Sequence, residues 1–436
     1  MAQYEEYKLT HSLGFEKIPT EWNLKKVKYL FDIGRGRVIS QEELMDNGLY
    51  PVFSSQTQNN GCLGYINTFD FDCEQLTWTT DGANAGTVFI RSGKHNCTNV
   101  CGTLQPITKN SNLKFSHYAL QYATQFHKRP DTNGAKIMNN EMAEISFALP
   151  PEQEQFKIVE YLNYETAKID HLIEKQQQLI ELLKEKRQAV ISHAVTKGLD
   201  PNVPMKDSGV EWLGEVPEHW KVTRFKFLCD SIVAGPFGSS ITKDMYVNQG
   251  FKVYGQEQVI PNNFEIGDYY ISEKNYKELA RYAVDPGDIL ISCVGTFGKI
   301  AVFPSNGEKG IINPRLIKAT LSKDHNSYFY REFLKSEAVF KQFEQLSRGG
   351  TMGVINIAIL NEIVAVAPDT NEQEAIYVFI AEQKIKFSHL IGRACEQIEL
   401  LKERRTALIS AAVTGKIDVR NWQAPSVTEA DTELSA

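Results

Sequence analysis

Groups able to do covalent chemistry are sparse along this chain. Gly298-Lys299 comes nearest to a phosphate-cradling loop, but Ile300 follows and Cys293 stands where the first glycine is needed, so no P-loop is present. Asn313-Pro314 continues into Arg315-Leu316, which breaks the Asn-Pro-Pro-aromatic pattern by which adenine methyltransferases hold a flipped base. Pro130-Asp131 and Lys136 lack the acid of a nuclease-like set, because Gly134 occupies its place. His95, Cys97 and Cys101 are close enough to suggest a metal site. Only three ligands are local, however, and no second cysteine pair follows at zinc spacing, so a buried strand turn is the competing reading. Asp81, Gly82 and Asn84 read as a turn with helpful side chains. These absences argue against a self-sufficient methylase, ATPase or nuclease.

Composition narrows the class further. The 436 residues leave room for two or three domains, and 42% hydrophobic with 23% charged residues is ordinary for a soluble protein. No apolar run reaches transmembrane length, and the start MAQYEEYKLTHS lacks a signal peptide's regions. Seven cysteines without a framework of short spacings fit a reducing cytoplasm. The formal charge is -7; residues 1 to 149 hold 14 basic and 15 acidic side chains, and 201 to 368 hold 18 and 19. Any nucleic-acid face must then be a local patch, and the chain should bind DNA weakly without a partner's positive charge.

The elements that would position such a patch come in duplicate. LLKEKRQAVISHAVTKGLD at 182 to 200 returns as LLKERRTALISAAVTGKID at 400 to 418, and the match runs without a gap from Pro150 on Pro368 to Asp200 on Asp418. Positions seven apart in the first copy are Leu162, Ile169, Gln176, Leu183 and Val190, with Leu172, Ile173, Leu179 and Ile180 filling adjacent rows. Ile380, Phe387, Ala394, Leu401 and Leu408 hold that row in the second, flanked by Leu390, Ile391 and Ile398. Such stripes predict two rods of roughly 65 Å, starting near Glu152 and Glu372, that pack antiparallel on each other. A core helix of its own domain is the alternative for each. Residues 11 to 30 repeat at 209 to 228, with Pro19 and Trp22 matching Pro217 and Trp220.

The order is therefore globular part, rod, globular part, rod. The expected fold class is α+β, with a first globular domain at 1–150, a rod and linker start at 151–200, a second domain with its leading linker at 201–368, a rod at 369–420 and a disordered acidic tail at 421–436. Residues 76 to 90 and 287 to 303 read as strands around turns, and 116 to 126 and 327 to 343 as helices. GAKIMN at 134 to 139 and TMGVIN at 351 to 356 occupy equivalent places late in each insert.

This double arrangement resembles the DNA-specificity subunits of type I restriction-modification systems. The PxxW motifs at Pro19 and Pro217, the Glu-Gln openings of the rods, their LLKEKR and LLKERR endings, and the phrases AGPFGS, GDILIS and INPRL carry the resemblance over residues 11 to 420. It implies two target-recognition domains, each reading one half of a split asymmetric site in double-stranded DNA. The paired helices would act as a ruler and dock two modification subunits, joined by restriction subunits that translocate DNA. No cofactor is expected on this chain; the partners would use S-adenosylmethionine, and ATP with Mg. A cytoplasmic restriction system for phage defence follows from the same resemblance. A coiled-coil protein adaptor and a stand-alone DNA enzyme are the rival readings.

DNA-contacting side chains are expected on the glycine-rich loops. In the first domain these are Arg35 and Arg37 between glycines, then Ser54, Ser55, Gln56 and Gln58. In the second they are Ser239, Ser240, Lys243, Tyr254, Gln256, Arg348 and Thr351. Glutamine suits adenine and arginine suits guanine in the major groove, while a solvated turn is the ordinary alternative for each. Partner contact is expected at Lys184, Arg187, Lys402 and Arg405.

Overall fold

The two heptad stripes form single α-helices, Glu152–Lys197 of 46 residues and Thr370–Val413 of 44. In the computed structural model, residues 2–108, 112–132, 134–237, 240–293, 299–347 and 355–425 are described. The chain divides into two compact units, Met1–Gln177 with Glu396–Ala436, and Gln178–Cys395. Each unit thus holds one globular domain and a stretch of both rods, a division that cuts through the rods.

Within each unit the start of one rod meets the end of the other. Ile158, Tyr161 and Leu162 share a core with Ile409, Ala412 and Val413 in the first unit. Ile191, Ala194 and Val195 share one with Ile376 and Ile380 in the second. The helices therefore run antiparallel. Leu162, Ile169, Ile380, Phe387 and Ala394 are buried along the seam. Leu172, Leu179 and Leu390, expected to fill the flanking rows, instead stand 42%, 43% and 37% exposed. A two-helix contact covers only a narrow stripe, so rows beside it stay at the surface.

The rod ends explain their duplicated residues. Gln155 turns its side-chain amide back onto the Pro150 carbonyl at 2.9 Å, and Gln373 does the same to Pro368 at 2.8 Å. Gly198 and Gly415 stop the rods in left-handed conformations, at φ 76° and 70°. Past the second stop, Trp422 packs on Tyr161 and Tyr164 at centroid distances of 5.4 and 5.5 Å. The start of the expected disordered tail is thus anchored by aromatic burial, and residues 426–436 lie outside those described.

Each domain carries the same pair of sheets. In the first unit an antiparallel sheet runs Val88–Arg91, Gln75–Thr79, Cys101–Pro106, Phe31–Arg35. In the second the counterpart runs Ile300–Val302, Ile289–Ser292, Leu316–Leu321, Cys229–Ala234. The other sheet is mixed: Tyr50–Phe53 lies parallel to Lys94–Cys97, and Phe251–Tyr254 parallel to Gly310–Ile312. Hairpins before each motif tryptophan repeat too, Tyr7–Leu9 with Lys17–Pro19 and Met205–Asp207 with Glu215–Pro217. The helix expected over 327 to 343 is two, Ser327–Leu334 and Glu337–Leu346. Ser336 breaks it, its hydroxyl accepting from the Val339 amide to cap the second.

Candidate nucleic-acid interface

A junction of three strand ends is built twice with the same backbone bonds. The Thr98 amide donates to Phe53 O and the Gly36 amide to Cys101 O, at 2.8 and 3.1 Å. In the second unit Asn313 donates to Tyr254 O and Gly235 to Leu316 O, at 2.8 and 2.9 Å. A tight turn closes both, Cys101 N to Thr98 O at 2.9 Å and Leu316 N to Asn313 O at 3.2 Å. Only glycine fits at the crossing: a Cβ on Gly36 would lie 2.0 Å from Cys97 O, and one on Gly235 1.9 Å from Asn313 O. The late motifs also correspond, because the Ile137 and Ile355 amides reach Thr80 O and Cys293 O, each at 2.9 Å.

The structure brings several expected contacts to this junction. Arg35 is exposed where its strand ends, with Nη2 3.7 Å from Met138 Sδ. Arg37 is pinned between Glu43 at 2.8 Å and Asp70 at 3.2 Å. Those two carboxylates, Glu43 foremost, hold its pKa above the usual value, so Arg37 is not the open phosphate contact its glycine setting suggests. Ser54, Ser55 and Gln56 are half-buried and Gln58 exposed on the following loop. Ser54 Oγ takes the Thr98 hydroxyl at 3.2 Å, and the Gln56 amide donates to Cys62 O.

In the second unit Gln256, which follows the same strand end, donates to Ser292 Oγ at 2.6 Å. Ser240 and Lys243 are exposed. Tyr254 is a correction. It is fully buried with its hydroxyl on Glu308 O at 2.8 Å, because it continues the strand into the core. Ser239, Arg348 and Thr351 lie outside the described residues. The sequence reading missed Arg315, whose INPRL setting marked the family but no role. It is exposed on the junction turn and, with Gln256, Asn313, Tyr246 and Tyr269, lines a cleft of about 250 Å³.

Of the expected partner contacts, Lys184 and Lys402 pair with Glu181 and Glu399 on their own helices, each at 2.8 Å. Arg187 is half-buried. Arg405 is a second correction: its guanidinium grips Asp170 of the first rod at 2.9 Å. Ser388 occupies the repeat position of Asp170, so Arg187 has no such acid to meet.

The candidate metal triad is folded inward. His95 is buried, with Nδ1 2.7 Å from Gly93 O and Nε2 2.8 Å from Gln75 Nε2. Burial pushes its pKa down. Cys97 and Cys101 are buried and hydrogen-bonded to each other. No helix among the described residues is long and apolar enough to cross a membrane.

The family model "Type I restriction modification DNA specificity domain" matches residues 19–182 and again 217–392. Among curated proteins, the putative type I specificity subunit S.MpnORF507P of Mycoplasma pneumoniae is 43% identical over 138 residues, 31% of this chain and 38% of that protein. S.MpnORF285P of the same organism is 39% identical over 142 residues, covering 45% of its length, so these matches span less than half of either relative. The MjaVIII specificity subunit of Methanocaldococcus jannaschii is 24% identical over 96% of this chain and 97% of its own. The fold is similar to that of a chain solved in work on assembly and conformational transition of the type I R-M system. That similarity has a TM-score of 0.64 at 13% identity and covers 92% of this chain and 99% of that one. It is also similar to the HsdS subunit from Thermoanaerobacter tengcongensis, with a TM-score of 0.50 at 14% identity, covering 92% of this chain and 98% of that one.

Proposed function

Because this chain belongs to the family of type I restriction-modification DNA-specificity proteins, matched over both of its halves, we propose that it is the non-catalytic DNA-reading subunit of such a complex. Each domain reads one half of a bipartite, asymmetric site in double-stranded DNA. The long helices set the spacing of the half-sites and dock two modification subunits, and through them restriction subunits. S-adenosylmethionine, and ATP with Mg, belong to those partners, and the complex works in the cytoplasm.

One observation carries this reading: the same three-strand junction is built twice and dressed with unlike side chains. Arg35, Ser55, Gln56 and Gln58 lie at or just after the strand ends of the first, and Gln256 and Arg315 at those of the second. A shared frame with different donors and acceptors is what two different base sequences require. Neither domain is globally basic, which suits a reader whose phosphate contacts are completed by its partners.

The test is methyl transfer. Purified chain with DNA and S-adenosylmethionine should methylate nothing, and adding modification subunits should methylate a motif of two parts separated by unread bases. Transfer by the chain alone, or a single undivided motif from the complex, would overturn the proposal.

A further inference from the structure

The first domain buries a cation with no counter-charge. Arg91 is 2% exposed and has no ion-pair partner among the described residues. Its guanidinium lies between the rings of Phe53 and Phe89, 3.6 and 4.4 Å from their centroids. Nε donates to Thr77 Oγ1 at 3.1 Å and Nη1 to the Asn60 carbonyl at 2.8 Å. Nη2 is buried without a partner. Burial is the main influence and brings its pKa down to about 10, so the group stays charged at neutral pH; two rings and two hydrogen bonds stand in for a counter-ion, but Nη2 is left unsatisfied. Such an orphan is uncommon and calls for a reason.

The reason lies directly over it. Asn59, Asn60 and Gly61 take three successive left-handed conformations, at φ 49°, 53° and 79°. Two of these are not glycine, so the turn is strained and needs outside support. Arg91 supplies it by fixing the Asn60 carbonyl, and it fills the space beneath Gly61, where a Cβ would stand 2.8 Å from Nη2. The loop so held, residues 54 to 61, presents Ser55, Gln56 and Gln58. At the matching place in the second unit the chain turns at once into the short helix Gln256–Val259, and no buried arginine lies under it among the described residues.

We propose that Arg91 is a positioning residue for sequence readout by the first domain: it holds the loop over residues 56–61 in one conformation so that its side chains meet base edges in register. This rests on the DNA-reading function proposed above. Preorganisation of this kind favours affinity, because a loop that is already ordered does not lose that freedom on binding, and it favours discrimination because a fixed loop does not rearrange to suit a mismatched base edge.

The experiment uses the full chain with its modification subunits and two kinds of variant. R91M keeps the bulk and removes the charge and the fork; G61A keeps Arg91 and disturbs the same contact from the loop side, by a Cβ 2.8 Å from Nη2 and by the strain of φ 79°. Hydrogen exchange of amides 55 to 62 should speed up about tenfold or more in both, with the rest of the first domain unchanged. Methylation profiling should show base preference falling about tenfold in one half-site only, while the other half keeps its preference. R91K, which retains charge but not the fork, should behave as R91M does. Unchanged loop exchange, or an intact motif despite a loosened loop, or equal loss in both half-sites, would overturn the proposal. A wild-type complex that methylates no bipartite motif while R91M still loosens the loop would instead sink the DNA-reading function, leaving the hold of Arg91 on the loop standing.

Discussion

The indole Nε1 of Trp22 donates to the carboxylate of Glu154 across 3.1 Å, which ties the hairpin before the first domain to the opening turn of the first rod. The end of the other rod rests on the same ring, where a Cβ on Gly415 would stand 3.4 Å from Trp22. The second unit repeats this with Trp220, Glu372 and Gly198: Nε1 reaches the carboxylate at 2.8 Å and the glycine is 3.3 Å from the ring by the same measure. One tryptophan per unit thus joins a domain to the start of one rod and the end of the other.

Replacing Trp22 with phenylalanine removes the donor and leaves a desolvated carboxylate short of one hydrogen bond, which should cost about 1–3 kcal/mol. Trp220→Phe should cost less, about 1 kcal/mol, because the Glu372 side chain is 25% exposed and keeps His219 as a partner. The effect should be local, so native-state hydrogen exchange should speed up in the first unit for one variant and in the second for the other. Identical exchange patterns from the two would contradict separate clamps.

Asp170 and Arg405 join the rods within the first unit, but the side chains are 52% and 34% exposed. Solvent screening holds such a pair to about 0.5 kcal/mol. Either D170R or R405D alone should lower stability by about that amount or slightly more, through like-charge contact, and the double exchange should recover it. A double-mutant cycle by urea unfolding reads the coupling. Assembly with modification subunits should survive R405D, since the native arginine is already engaged.

Tyr254 and Gln256 are two residues apart and should differ in their effect on the motif. Y254F strands the Glu308 carbonyl and should cost about 1 kcal/mol in thermal unfolding, with the methylated motif unchanged. Q256A should cost a similar amount, through its bond to the buried Ser292 hydroxyl, but should in addition relax one position of a half-site, worth about 1–3 kcal/mol of base discrimination. Profiling both variants side by side checks the assignment of the junction.

His117 provides a pH signature. Burial foremost lowers its pKa from 6.5 to about 4 and so keeps the ring neutral, against the opposing pull of Val88 O, which lies 3.0 Å from Nε2 and, as an acceptor, puts the ring's proton there. An unfolded chain takes up a proton that the folded one refuses. This contribution to stability is therefore complete above pH 6.5 and is lost as pH falls towards 4, by up to about 3 kcal/mol. H117Q should flatten that stretch of the stability profile in denaturant titrations between pH 7 and 4.

Both rods, their limits and their antiparallel pairing were legible in the chain, because a heptad stripe is a local periodic signal that only a partner helix can satisfy. The repeats also announced two domains on one frame. The Glu-Gln pairs were visible as a repeat, yet their work, with glutamate holding the tryptophan and glutamine the proline carbonyl, depends on atoms up to 152 residues apart. The interiors of the two domains share little sequence, since a β-sheet accepts many side chains once its backbone ladder is made. Only the tertiary structure showed that Gly36 answers to Gly235 and Thr98 to Asn313. It also decided which polar residues are free. Arg37 and Arg405 meet carboxylates, Tyr254 turns into the core, and Arg91, indistinguishable in sequence from a surface arginine, lies buried beneath a loop, because burial and pairing are set by contacts remote along the chain.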